Sequence, residues 1–167
     1  MLKVLSSHVF HRQVKIPTRA DADAVTADFL NRCGIPEIIG AIDGTHIPML
    51  RPDIDNMDYM NRKGFYSMVF QAVAIGTTLQ FIEFSGGWAG SIGDSSMFKV
   101  SSLYKMFISG RFPHFKLLAD AACCLYTWCL TPYEHLVIGM PPIQYRYNFW
   151  HSSGRMVIER AFGLLKM

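Results

Sequence analysis

The stretch GAIDGTHIPM, residues 40–49, decides how this chain folds on paper. Taken back to Glu37 as EIIGAID, its first half is an apolar run of strand type, and it delivers a carboxylate, Asp43, straight into Gly44-Thr45-His46. A charge at the end of a buried strand is costly unless something pairs with it. Asp43 is therefore either a turn former, since Asp-Gly after a strand commonly marks a hairpin, or part of a site. The stretch alone leaves both open.

Working outward, residues 65–75 (FYSMVFQAVAI) form a second expected strand. After the Gly76-Thr77-Thr78 turn, residues 79–85 (LQFIEFS) alternate apolar and polar side chains as a half-exposed hairpin partner does. Together with 37–43 these make a three-stranded meander. The Gly-rich loop SGGWAGSIGD leads to a helix expected over 95–108, ended by Pro113, and FKLLAD (115–120) is a fourth strand closing on Asp120. A strand-helix-strand connection is a crossover, which sets the fourth strand parallel to its neighbour.

At the front, Thr18 with Asp21 resembles a capping box, Val25 and Phe29 sit four apart, and Gly34 closes the segment, so 19–33 is an expected helix. At the back, Pro132, Pro141 and Pro142 predict loop or short irregular helix over 131–150. Ser152 or Ser153 then caps a closing helix, GRMVIERAFGLLKM, with Val157, Ile158, Ala161, Leu164 and Leu165 on one face. Glu159 projects beside that face, with Arg155, Met156, Phe162 and Gly163 one turn away. The fold class is α/β: a mixed sheet, an antiparallel meander plus a parallel crossover strand, flanked by helices.

The 167 residues suit one domain with a real core; half are apolar and 17% charged, which excludes a disordered chain. A formal charge of +3 permits nucleic-acid binding without arguing for it. Cys33, Cys123, Cys124 and Cys129 match no two-pair zinc spacing; they read as reduced thiols in a core, and thus as a cytosolic or nuclear protein. The opening MLKVLSSHVFHRQVKIP is too interrupted for a signal peptide, and no segment approaches the roughly 20 apolar residues of a membrane helix. Residues 1–17 read as a connection from something upstream.

Two expected strands thus end in aspartate, Asp43 and Asp120, and a helix packed on their sheet carries Glu159. Several anionic oxygens held rigidly around open positions are what a hard divalent cation requires, with Asp94 a fourth candidate. Each acid also has a plain structural role open to it. Asp94 could cap its helix, Asp120 could cap the segment after it, and Glu159 could pair with Arg155.

The segments GIPEIIGAIDGTHIPM, DYMNRKGFYSMVFQAV, GWAGSIGDSSMF, LLAD, LTPY and HSSGRMVIERAFGLLK succeed one another as in the Harbinger-type DDE transposase domain. Over about residues 35–167 the chain resembles the PIF/Harbinger superfamily and its domesticated relative, the Harbinger transposase-derived nuclease. The resemblance implies an RNase H-like nuclease domain over 35–167, C-terminally truncated, behind a lead-in segment with a short helix at 1–34. It implies cleavage of DNA phosphodiester bonds by a two-metal mechanism, with Mg²⁺ as the cation and Mn²⁺ able to substitute. By position, Asp43, Asp120 and Glu159 match the catalytic acids, and with Asp94 they form the implied metal set. Whether Asp94 or Asp120 is the second acid of the triad is left open by sequence; topology favours Asp120.

Arg62, Lys63, Arg155 and His46 are the expected substrate contacts. The first two stand beside Tyr59, Phe65 and Tyr66, which could stack on a base, while His46 has a bond inside the fold as its alternative. DNA is the implied partner, in the nucleus and with the cytoplasm as a further compartment. A separate Myb-like or helix-turn-helix protein would supply sequence recognition. The chain departs from the family at Gly93, where histidine is usual, and at Ala119-Asp120-Ala121-Ala122-Cys123, where Gly-Asp-x-Gly-Tyr is common. Those departures support the alternative reading, a domesticated, inactive DNA- or protein-binding module.

Overall fold

The computed structural model describes Val14 and residues 17–53, 57–76, 78–134 and 139–167. Nearly all of the expected upstream connection, residue Thr77 of the expected turn, and 135–138 of the proline-rich stretch lie outside the described residues. The elements are α1 (Arg19–Cys33), β1 (Ile38–Pro48), β2 (Ser67–Ile75), β3 (Gln80–Ala89), α2 (Asp94–Val100), α3 (Ser102–Ile108), β4 (Lys116–Leu118), β5 (Cys129–Leu130) and α4 (Pro142–Leu165).

A single mixed sheet runs in the order β3-β2-β1-β4-β5. The meander is antiparallel, with Asp43 opposite Ala72 and Ala72 opposite Phe84. β4 joins β1 in parallel, Ala41 against Leu118, as the crossover predicts. Glu37 and Lys116 clasp the starts of these strands with a 2.7 Å ion pair. This is the α/β class, a mixed five-stranded sheet flanked by helices in the RNase H-like plan.

Each face of the sheet has its own core. Ile39, Ile42, Val73 and Leu117 meet Phe98, Leu103 and Phe107 of α2 and α3 on one side. There Trp128 stacks between Phe107 and Tyr126, with ring centroids 4.7 Å away on each side. On the other side Ile38, Ala41, Ala72 and Leu118 meet Phe29 of α1 and Val157, Ile158 and Ala161 of α4. α1 is capped as expected: Thr18 Oγ1 accepts from the Asp21 N–H, and Gly34, at φ +64°, closes it with a bond to the Leu30 carbonyl.

Several elements differ from the sequence expectation, β3 among them: it runs to Ala89, through the 85–89 half of the expected Gly-rich loop. β1 does not stop at Asp43 but pairs with β2 through Pro48, so Asp43-Gly44 is not a hairpin turn. Proline is tolerated there because Met49, not Pro48, donates to the Tyr66 carbonyl on the β2 side. β4 pairs with β1 only over residues 38–41, so the other side of Pro48 is an edge. The single helix expected over 95–108 is two, broken at Ser101, whose buried hydroxyl donates to the Phe98 carbonyl and accepts from the Tyr104 N–H. The strand expected over 115–120 covers only 116–118, and a two-residue neighbour, β5, went unpredicted. Finally, α4 starts ten residues before Ser152: Pro142 opens it, in the first turn where the missing N–H costs no intrahelical bond.

Candidate active site

Parallel pairing places two acids side by side. Asp43 and Asp120 each lie two residues beyond the Ala41-Leu118 pair, Asp43 still inside β1 and Asp120 just past β4. Each carboxylate has one oxygen tied to nearby backbone. Gly44 N–H donates to Asp43 Oδ1 at 2.8 Å, and Ala122 N–H to Asp120 Oδ1 at 2.6 Å. The turn after Asp120 is thus closed by the Ala122 N–H on its side chain and the Cys123 N–H on its carbonyl, and neither Ala121 nor Ala122 has a positive φ.

The second oxygens face one guanidinium. Arg155 Nη2 of α4 stands 3.0 Å from Asp43 Oδ2 and 3.8 Å from Asp120 Oδ2. The side chains of Arg155, Asp43 and Asp120 are 15%, 25% and 45% exposed, so the guanidinium is the most shielded of the three and Asp120 the most open. Arg155 therefore pairs with Asp43, not with Glu159, and its Nε is buried without a hydrogen-bond partner. Gln71, fully buried on β2, lines the same small cleft and leaves its Nε2 unbonded.

Two contacts fix α4 at this point. Gly154 lies against Leu118 and Cys33, where any side chain would collide. His151, one turn before Arg155, meets the Leu130 carbonyl of β5 through Nε2 at 3.0 Å. A carbonyl only accepts, so Nε2 carries the hydrogen. Burial holds the imidazole pKa below its usual range, with the Arg155 charge adding to the effect, and the ring is neutral near pH 7.

Beside the acids opens a cavity of about 390 Å³. His46, Arg62 and Lys63 line it, as do Phe65, Lys166 and the Gly90–Gly93 loop. Asn61, buried beneath, shapes this wall. Its Oδ1 accepts from the Lys63 and Phe65 N–H groups, and its Nδ2 donates to Ser67 Oγ, which also meets His46 Nδ1 at 2.9 Å. His46 thus keeps a bond inside the fold and still borders the cavity. A Cβ built on Gly93 would stand 3.9 Å from Arg62 Nη2, so the histidine usual there would face this same space.

Of the sequence candidates, the structure brings together Asp43, Asp120 and Arg155 at one point and His46, Arg62 and Lys63 in the adjoining cavity. Glu159 lies exposed on α4, one turn after Arg155. Asp94 is the first residue of α2, with Gly93 in the cap position; its side chain is outside what the structure describes. Among the described residues no three His, Cys, Asp or Glu side chains are close enough to share a metal ion. Sequence reading missed Lys166, Asn61 and Gln71. The only signal for Asn61 was its place two residues before Lys63, where an Asx turn is common. The four cysteines are unbridged; Cys33 and Cys129 are buried, while Cys123 and Cys124 are only partly so.

A mixed α/β sheet that sets carboxylates at matched positions of neighbouring parallel strands, next to a basic cavity, is the plan of an RNase H-like domain. Residues 42–167 match the family described as DDE superfamily endonuclease, and the chain belongs to it. It is 36% identical over 147 residues to "Putative nuclease HARBI1" of Bos taurus, covering 87% of this chain and 41% of that protein. It is 28% identical over 159 residues to "Protein ALP1-like" of Arabidopsis thaliana, covering 86% of this chain and 38% of that one. The chain therefore spans about two fifths of the length of the curated relatives it matches. No solved structure matches it.

Proposed function

We propose that this chain is the divalent-metal-dependent catalytic domain of a DNA endonuclease or transposase, acting on phosphodiester bonds. The observation that carries this reading is the convergence of Asp43 Oδ2 and Asp120 Oδ2 on one cationic nitrogen, each carboxylate being steadied by a backbone N–H. The donor set fits a hard cation: these are carboxylate oxygens, and a positive charge already stands within 4 Å of both. Asp43 and Asp120 would hold Mg²⁺ or Mn²⁺, with Glu159 and Asp94 as the remaining ligands. The chemistry such ions would supply there is activation of an attacking water or 3′-hydroxyl and compensation of charge on the leaving oxygen.

The chain's own residues supply the rest. Arg62, Lys63 and Lys166 take backbone phosphates along the cavity, His46 donates at its edge, and Phe65, partly exposed, offers a face for an unpaired base. Arg155 serves a phosphate oxygen near the acids. A separate Myb-like or helix-turn-helix protein would select the sequence, in the nucleus.

Nicking of supercoiled plasmid by the purified chain with Mg²⁺ or Mn²⁺ tests this, beside Asp43→Asn and Glu159→Gln. Metal-dependent nicking lost in both variants is the expected result. A folded chain that binds DNA but never nicks would favour the second reading, a domesticated binding module, to which Gly93 in place of the usual histidine lends support.

A further inference from the structure

Each acid of the pair is oriented by one backbone N–H so that its other oxygen faces the guanidinium of Arg155. That guanidinium is held unevenly. Among the described residues it makes one hydrogen bond, 3.0 Å to Asp43, lies 3.8 Å from Asp120, and has a buried Nε with no partner. A fully engaged arginine would instead use two parallel N–H bonds on one carboxylate. Among the described residues Arg155 is the cation that stands within 4 Å of both converging carboxylates, in a half-buried site where unpaired charge is costly.

We propose that Arg155 is the resident counter-ion of the Asp43-Asp120 pair in the metal-free chain, and that a divalent cation loads only by displacing it. The inference rests on the proposed metal-dependent reading of the site. The two cations claim the same carboxylate oxygens, and a dication offsets two negative charges where the guanidinium offsets one. Metal affinity is then set by the fraction of molecules in which Arg155 has let go. Arg155 is thereby a positioning residue before metal arrives and a free cation for a phosphate afterwards.

The opposite possibility is that Arg155 preorganises the acids and metal binds beside it. The sign of one measurement separates the two. Mn²⁺ binding is read by loss of the free-ion EPR signal for the wild-type chain, Arg155→Met and Arg155→Lys. Displacement predicts about tenfold tighter Mn²⁺ binding by Arg155→Met. The lysine variant stays near wild type, and the methionine variant melts lower without metal and recovers with it. Equal or weaker Mn²⁺ binding by Arg155→Met overturns the inference while leaving the nuclease reading standing. Mn²⁺ binding by none of the three folded chains overturns both. If Arg155→Met does not fold, the wild-type chain suffices: its Arg155 Nε–H resonance shifts on Mg²⁺ titration under displacement, and an unmoved resonance at saturation overturns it.

Discussion

Gly154 of α4 lies directly against Leu118 of β4, with no room between them for a methyl group, and the next residue along the helix is Arg155. A glycine in mid-helix costs about 1 kcal/mol against alanine, so its presence here is a packing solution. It lets α4 approach the sheet closely enough for the guanidinium to reach both acids.

Gly154→Ala should therefore destabilise the chain by about 1–3 kcal/mol despite its better helix propensity, because the new methyl meets Leu118 Cδ1 and Cys33 Sγ. Gly163→Ala, on the same helix with nothing within 4 Å of an added Cβ, should stabilise by about 0.5–1 kcal/mol. Urea unfolding of the pair checks both signs. Similar destabilisation in both would mean that the Gly154 contact is not the cause.

Glu83 is a buried acid, on β3 and away from the site, with Oε2 lacking any hydrogen bond; burial raises its pKa to about 7. The native chain holds this proton more tightly than the unfolded one, so stability falls as pH rises from the ordinary 4.5 to about 7 and is then flat. The cost above that window is about 3 kcal/mol. Glu83→Gln should recover much of it at about pH 8 and little at about pH 5. Equal effects at both pH values would show that Glu83 does not titrate across this range.

His151 works in the other direction. Its pKa is lowered from 6.5, so stability is complete above that value and is lost as pH falls below it, when the unfolded chain takes up the proton first. His151→Gln, which keeps an N–H donor for the Leu130 carbonyl, should cost about 1 kcal/mol at neutral pH and flatten the acid limb. Unfolding midpoints tracked downward from about pH 7 decide this; an unchanged limb in the variant would point to other groups.

The cavity wall yields a salt-dependent expectation. Arg62→Ala and Lys63→Ala should each weaken DNA binding and reduce the slope of log K against log salt by about 1, with stability changed by less than about 0.5 kcal/mol. Asn61→Ala should lower both binding and stability, because it frees the loop that presents those cations and strands buried donors. Fluorescence anisotropy at several salt concentrations, beside thermal melts, separates the two classes. An unaltered slope in both cation variants would remove the cavity from the DNA path.

The meander and the crossover were legible in the sequence because turn residues bracket each apolar run, and from the crossover came the nearness of Asp43 and Asp120. What escaped was set by tertiary context. Gly44-Thr45-His46 has the composition of a turn, yet β2 supplies ladder partners as far as Pro48. Pro141-Pro142 looks like a helix breaker, yet it opens α4. Arg155 was expected beside Glu159, its neighbour four residues on, because local spacing is all a sequence displays. The longer reach across to β1 depends on Gly154 bringing the helix down. Lys166 joins the cavity from more than a hundred residues beyond Arg62, and no spacing rule spans that distance.

β4 is three residues long and β5 two, against nine to eleven for the meander strands. Asp120 thus hangs from a three-residue strand while Asp43 is anchored in the longest strand. Sub-global opening along the β1-β4 seam would part the acids and leave the meander intact. Whatever bridges both carboxylates, a guanidinium or a bound cation, acts as a staple across that seam, and a tightly held ligand slows amide exchange in β4 before it changes exchange in β2 or β3.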